Sequence, residues 1–553
     1  MPGVVLLKGG FMAIVPQGVS PTDFAEALRQ FEGAVGKEWV FSKDEDVDLY
    51  RDAYSPFWGE EEERRASAAV APASVEQVQA VMRIANKYKI PMYPVSTGRN
   101  LGYGGSAPNH TGSVVLDLKR MNRVLEVNEG NAYALVEPGV SYFDLYKHIE
   151  DRKLKVWLDV PDPGWGSPVG NSMDRGGGYT MPQFRNHFDA HCGLEVVLAN
   201  GDLLRTGMGA MPNAKTWQEY KTGFGPWIDG IFSQSNFGVV TKMGFWLMPE
   251  PDAYMTGTVT VPKHNDLVPL IDTLNVLENS RVTNGMSDLF SPAMGMPGGE
   301  GVKPPDAALV GLIQKAIDGD PSGLDAHAAS RGEAIWACTL KFYGPAKVLP
   351  LQWEYCREKF GKIPGAKFTT GELLKMPLTA EQKLKVHKPE FGLPSLSIFN
   401  IGARSATNSN PTNGHQWFSP IIPRSGEAVF EANRIFSKAG REHGLPVPPY
   451  SIPFTFWERS FLFLFGFPVT HDVAQNRKSR EGFKRLVEIA AEHGFGEYRT
   501  APAYQDLIMS TYSFNNHALL RFHETLKDAV DPNGILSPGR YGIWPKSLRK
   551  GRA

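Results

Sequence analysis

Directly after a short apolar run, the chain reads Ser96-Thr-Gly-Arg-Asn-Leu-Gly-Tyr-Gly-Gly105. Four glycines and two hydroxyl side chains allow backbone N–H groups to converge on an anion, and Arg99 adds charge, which is what binding a pyrophosphate requires. A tight surface turn has the same composition. The two common nucleotide patterns are absent, since there is neither a GxGxxG order opening a helix after the first strand nor a GxxxxGK[ST] loop. Gly207-Met-Gly209 likewise lacks a third glycine.

A second glycine cluster runs Gly164-Trp-Gly-Ser-Pro-Val-Gly-Asn171 and continues through Asp174-Arg-Gly-Gly-Gly-Tyr179. Without Cβ atoms such backbone can approach a flat ligand closely beside Asn171. Just upstream, Leu158-Asp-Val-Pro-Asp162 puts a carboxylate at the edge of the same region, although a lone Asp is ordinarily a cap or turn residue. Gly496-Glu-Tyr-Arg-Thr500 sets a phenol beside a guanidinium, a pairing suited to an anionic oxygen and also common on structural strands. Gly414-His-Gln-Trp-Phe-Ser-Pro420 carries His415 inside an apolar strand, where a histidine is by default a satisfied core residue.

The elements that must position these groups alternate in character. Ala68–Pro72 reads as a strand, and Ser74-Val-Glu-Gln77 as a capping box opening a helix with Val75, Val78, Val81, Met82 and Ala85 on its apolar face. Met92–Val95, Ser113–Leu118, Val124–Val127 and Ala132–Val136 read as strands and Tyr142–Glu150 as a helix, an α+β order without a repeated βαβ series. Pro249-Glu-Pro251 punctuates the chain. Beyond it, strands such as Thr256–Val261 and Ala334–Phe342 alternate with helices such as Leu267–Leu277 and Glu427–His443, broken by the Gly/Pro-rich Met294–Pro305. Phe461–Phe467 reads as a buried strand, far short of a membrane span. Tyr504–Thr511 and His517–Ala529 read as helices, and the turn-rich Asp531–Arg540 is expected to pack back on the molecule.

Composition bounds the rest. The 553 residues suffice for two or more domains, and Lys+Arg 58 against Asp+Glu 59 gives no global reason to bind nucleic acid or an anionic membrane. The 3 cysteines form neither a CxxC pair nor a disulfide framework, so no metal cluster is indicated. The apolar run Phe11–Val15 is too short for an export signal, and a cytoplasmic location is expected.

Taken together, these segments resemble the vanillyl-alcohol oxidase/4-cresol dehydrogenase family of FAD enzymes, which oxidise para-substituted phenols. The resemblance is carried by PVSTGRNLGYGGSAP (Pro94–Pro108), GSVVLDLKRMNRVLEVN (Gly112–Asn128), ALVEPGV (Ala134–Val140), GLEVVLANGDLLRTGMGAMP (Gly193–Pro212), GFGPWIDGIFSQSNFGVVTKMGFWLMPEP (Gly223–Pro251), GEYRT and DPNGILSPGRYGIWP. It implies an FAD-binding domain formed by residues 1–255 and 494–553, with an α/β cap domain, 256–493, inserted between them.

Residue by residue, the resemblance implies that Ser96, Thr97, Gly98, Arg99, Asn100, Leu101 and Gly102 hold the FAD pyrophosphate. Gly170, Asn171, Gly177, Gly178, Tyr179, Val239 and Arg540 then belong to the flavin site. Tyr103, Tyr498 and Arg499 match the family's phenolate clamp, Asp162 its base near flavin N5, and His415 the histidine that carries FAD covalently in the oxidases. The implied reaction is hydride transfer from the benzylic carbon of a phenolate to FAD through a p-quinone methide. O2 is the expected electron acceptor, with a c-type cytochrome or copper protein as the dehydrogenase alternative. A flavin-binding protein without turnover would not need all four of Tyr103, Asp162, Tyr498 and Arg499.

Three departures stand out. No histidine precedes His110, so the N-terminal histidine that assists attachment in some oxidases is missing. No tyrosine lies between Tyr355 and Tyr450, with Phe399 in the stretch where the cresol dehydrogenase has its flavin-linking tyrosine. Thr180–Asn186 replaces a shorter family segment. The connection Gly209–Gly225 is shorter than the loop associated with octamers, and a homodimer is expected.

Overall fold

In the computed structural model, residues 4–7, 11–100, 102–295, 305–397, 414–445 and 447–549 are described. Leu101, Phe399 and most of the Met294–Pro305 loop lie outside them.

Helices and sheets mix throughout, in an α+β arrangement. The first sheet has the order Val40–Phe41, Ala68–Val70, Val114–Asp117, Met92–Val95, and its last three strands are parallel. Helix Val75–Tyr88 covers it, burying the five residues expected from its periodicity. Ser74 accepts from the Gln77 N–H at 3.3 Å, but the Gln77 side chain returns to the N–H of Ala73 instead of Ser74, so the capping box closes one residue early. The helix stops where Lys89 turns left-handed, with φ 55°.

A second helix, Pro21–Val35, packs Phe24 and Phe31 into the same core. Residues 535–536 join that core from the far end of the chain. Ile535 accepts from the Met92 N–H at 2.7 Å and Ser537 donates to the Met92 carbonyl at 2.8 Å, so the turn-rich tail does fold back on a strand. Lys527 secures it, donating to the carbonyls of Asn236 (2.8 Å) and Leu536 (2.6 Å) and pairing with Asp531 at 2.7 Å, both side chains being fully buried.

The second sheet is antiparallel, in the order Leu203–Arg205, His191–Val197, Val239–Trp246, Tyr133–Val136, Val124–Asn128. The third, also antiparallel, has the order Asp288–Phe290, Trp336–Gly344, Ala253–Val261, Lys367–Lys375. Helices Leu267–Asn279, Leu349–Phe360 and Gly426–His443 contribute to its core. The expected single strand at Phe461–Phe467 is two. Ser460–Leu462 pairs with Ile421–Pro423, the chain then crosses over, and Phe465–Val469 pairs with Gly414–Phe418. Phe461, Phe463, Phe465 and Phe467 stay buried, while Leu464 is left facing a cavity. Among the described residues no helix is long and apolar enough to cross a membrane, and no group of His, Cys, Asp and Glu could hold a metal ion.

Candidate active site

One cavity gathers most of the singled-out residues. It is lined by Ser96, Thr97, Gly98, Arg99, Asn100, Tyr103, Asp162, Gly170, Asn171, Gly177, His415, Tyr498, Arg499 and Arg540. Its floor is built by close approach. Gly170 sits in the short helix Pro168–Met173, and a Cβ there would run into the Ser96 side chain. Gly98 is left-handed (φ 65°), and a Cβ would meet Ser106. Arg99 lies exposed, its guanidinium 5.0 Å from the Trp165 ring centroid.

At one wall the Arg499 guanidinium stands 3.8 Å from the centroid of the Tyr103 ring, with the Tyr498 ring edge-on to Tyr103 at 6.4 Å. Trp457 packs edge-on to Tyr498 at 5.1 Å. Burial works against the charge of Arg499, but Tyr498, Asp174 and Tyr103 around it hold its pKa above the ordinary value. Burial pushes the Tyr103 hydroxyl far above the usual range, with Tyr498 adding to the rise. This corner is a set of hydrogen-bond donors beside a permanent cation, an arrangement that favours an anionic oxygen.

Asp162 occupies the same cavity. Burial raises its carboxyl pKa, and a 2.6 Å hydrogen bond donated by Tyr179, with His387 nearby, works the other way. Tyr179 thus serves the site from behind, holding Asp162 while its own ring meets His387 and Phe456 edge-on. His415, on strand Gly414–Phe418, is buried with its ring 4.2 Å from Trp417. Gly102 lies against that pair, since a Cβ there would come 2.9 Å from His415 Nε2.

Gly178 and Val239 are placed elsewhere. A Cβ on Gly178 would meet the Asp159 carboxylate, so that glycine answers to Asp159 packing. Val239 is buried in the core beneath the first sheet, while its neighbours Gly238 and Val240 line the cavity.

Residues 66–207 match the family described as FAD binding domain. The 4-cresol dehydrogenase [hydroxylating] flavoprotein subunit of Pseudomonas putida is 32% identical over 96% of this chain and 98% of its own. The chain belongs to the vanillyl-alcohol oxidase/4-cresol dehydrogenase family. As a member, it is an FAD-dependent oxidoreductase. A solved 4-ethylphenol oxidase from Gulosibacter chungangensis, in an isoeugenol complex, has a TM-score of 0.78 at 34% identity, covering 97% of this chain and 100% of that one. A substrate-bound p-cresol methylhydroxylase has a TM-score of 0.77 at 29% identity, covering 96% and 99%.

The residues present fit FAD. The bare-backbone cradle at Gly98 and Gly170 and the exposed Arg99 suit a pyrophosphate, and the cavity continues from there to the donor corner.

Sequence reasoning missed the group that ties this cavity together. Asp174 accepts from Arg540 at 3.0 Å and from Asn100 and Tyr541, and it pairs with Arg499 at 3.5 Å. Arg540 also donates to the Tyr93 hydroxyl at 2.9 Å. Behind Asn171, a buried network links Asn171 to His187 (2.7 Å), His187 to Asp159 (2.7 Å) and Tyr142 to His187 (3.0 Å). The segment Thr180–Asn186, singled out as a departure, opens onto this network. Thr180 donates to Asp159 through both its N–H and its hydroxyl.

Proposed function

We propose that this protein oxidises para-alkylated phenols and related 4-hydroxybenzylic compounds, binding them as phenolates. The observation that carries the proposal is the corner of Arg499, Tyr103 and Tyr498 on the wall of the cavity that also holds Asp162. The 4-cresol dehydrogenase and 4-ethylphenol oxidase relatives support the substrate class. The FAD-binding unit would comprise residues 1–255 and 494–553, with 256–493 as the cap.

A phenol has a pKa of about 10 in water, and each unit of depression corresponds to about 1.4 kcal/mol of preference for the anion. Tyr103 and Tyr498 donate hydrogen bonds to the phenolate oxygen, and Arg499 sets the charge. Bound FAD supplies the two-electron acceptor for the hydride leaving the benzylic carbon. With the substrate left as a p-quinone methide, Asp162 takes a proton from water that adds at that carbon, or from the side chain to give an alkene. A base raised by burial and steadied by Tyr179 suits that work.

Arg499→Ala tests the clamp. FAD is expected to stay bound while turnover of 4-ethylphenol falls by about 100-fold or more, the scale of losing a charged hydrogen-bond partner in a dry site. Turnover close to wild type would defeat the assignment. His415 is the proposed covalent anchor, so flavin should stay with the acid-denatured chain and come free in His415→Ala.

O2 is the proposed electron acceptor. Transfer to a cytochrome c or copper protein is the second reading, favoured by the 32% identity to the 4-cresol dehydrogenase subunit. Peroxide formation under air against reduction of added cytochrome c separates the two.

A further inference from the structure

Binding a phenol as its anion requires somewhere for the phenolic proton to go. Arg499 only donates, and both Tyr103 and Tyr498 enter the corner as donors. A route leads away from Tyr103. Beside its hydroxyl lies Ser419, a neighbour that works against the burial of Tyr103 and draws its pKa down, and which sits between strands Gly414–Phe418 and Ile421–Pro423. The Ser419 hydroxyl is 3.1 Å from Glu497 Oε2 and 2.9 Å from the Arg499 carbonyl. A hydroxyl has one proton to share among these three partners, so it donates to one at a time and can pass a proton along.

Glu497 is 4% exposed. The Ser419 N–H holds both its carboxylate oxygens, at 3.0 and 2.9 Å, and among the described residues no Lys, Arg or His forms an ion pair with it. The titratable and charged groups around it are Tyr103 across Ser419, its chain neighbours Tyr498 and Arg499, Asp174 beyond Arg499, and Tyr512, whose hydroxyl donates to the Glu497 carbonyl at 2.9 Å.

We propose that Glu497 receives the phenolic proton through Tyr103 and Ser419. The substrate O–H proton passes to the Tyr103 oxygen as the Tyr103 proton passes to Ser419 Oγ and the Ser419 proton to Glu497 Oε2. Three O–H bonds break and three form, no electrons are exchanged, and the carboxylate becomes a neutral acid while the phenolate remains against Arg499. Burial, partly offset by the Ser419 donors, lifts the Glu497 carboxyl from 4.5 to about 8, which brings it towards a phenol. The relay therefore operates above that pH, where Glu497 is ionised. Glu497 acts through Tyr103 and is a positioning residue, and the inference rests on the phenol-oxidising reading.

The test is the anaerobic rate of flavin reduction against pH, in the FAD-loaded wild type, Glu497→Gln and Ser419→Ala. Two substrates are compared: 4-ethylphenol, and a 4-ethylphenol fluorinated at both positions beside the hydroxyl so that it is ionised in solution at the pH of the limb. Wild type should gain rate with 4-ethylphenol as pH rises through about 8. Both variants should lose that limb, fall about 100-fold near its top, and gain rate only towards the phenol's own pKa of about 10. The fluorinated phenol should restore them to near the wild-type rate. Should Glu497→Gln fail to fold, Ser419→Ala decides alone. A limb retained near 8 in Ser419→Ala, or an equal loss with both phenols, overturns the relay while the phenol reading stands. A wild type reduced by neither phenol overturns both.

Discussion

At the scale of single residues, chemistry was legible where a residue type had few other uses. A tyrosine and an arginine side by side, a glycine-dense loop and an aspartate at its edge all lie on one cavity. The aspartate that binds these parts to one another was not legible. Asp174 beside glycines looks like a turn residue, and its meaning comes from Arg540, 366 positions away. Tyr179, expected at the flavin site, also reaches the proposed base. Its hydroxyl donates to Asp162 and draws down a carboxyl that burial raises. Tyr179→Phe removes the donor, so the Asp162 pKa climbs further and the ionised base appears only at higher pH. The acid limb of turnover, measured with 4-ethylphenol as a pH profile, is expected to move to higher pH, with rates unchanged where Asp162 is fully ionised. An unmoved limb would separate Tyr179 from the base.

At the scale of elements, periodicity recovered what local sequence controls. Helix Val75–Tyr88 buries the face its spacing predicts, and Tyr142–Asp151 opens on a full capping box between Ser141 and Asp144. The run Phe461–Phe467 was misread as one strand because hydrophobicity reports burial and not partner. Its two halves bond to different strands, a choice made by tertiary pairing. Helix Pro21–Val35 passed unread although Ser20 caps it through Asp23.

The loops carry their own prediction. Gly170 is helical with an ordinary φ, and Gly→Ala inside a helix normally gains roughly 0.5–1 kcal/mol. Here the added methyl collides with Ser96 beneath the proposed pyrophosphate site. In the His415→Ala background, where no covalent bond holds the flavin, Gly170→Ala is expected to weaken FAD retention by about tenfold or more, read by flavin content after dialysis, with the fold intact by circular dichroism. Full retention would remove that floor from the FAD site.

At the scale of the whole molecule, the site is assembled from opposite ends of the chain. Asn236 donates to the carbonyls of Ser537 (3.1 Å) and Ile543 (2.9 Å), and buried Lys527 draws the same turn inward. Arg499 and Arg540 both reach Asp174 from this C-terminal segment. The glycine blocks and the turn-rich tail were separately readable, while their meeting depends on pairings that no local pattern encodes. The central claim, that the assembled corner recognises a phenolate, has a direct test. The FAD-loaded protein is mixed without oxygen with 4-ethylphenol or with its O-methyl ether, which has the same benzylic carbon but no proton to lose. The account predicts that the visible flavin band bleaches with the phenol and persists with the ether; bleaching by both at equal rates, or by neither, would contradict it.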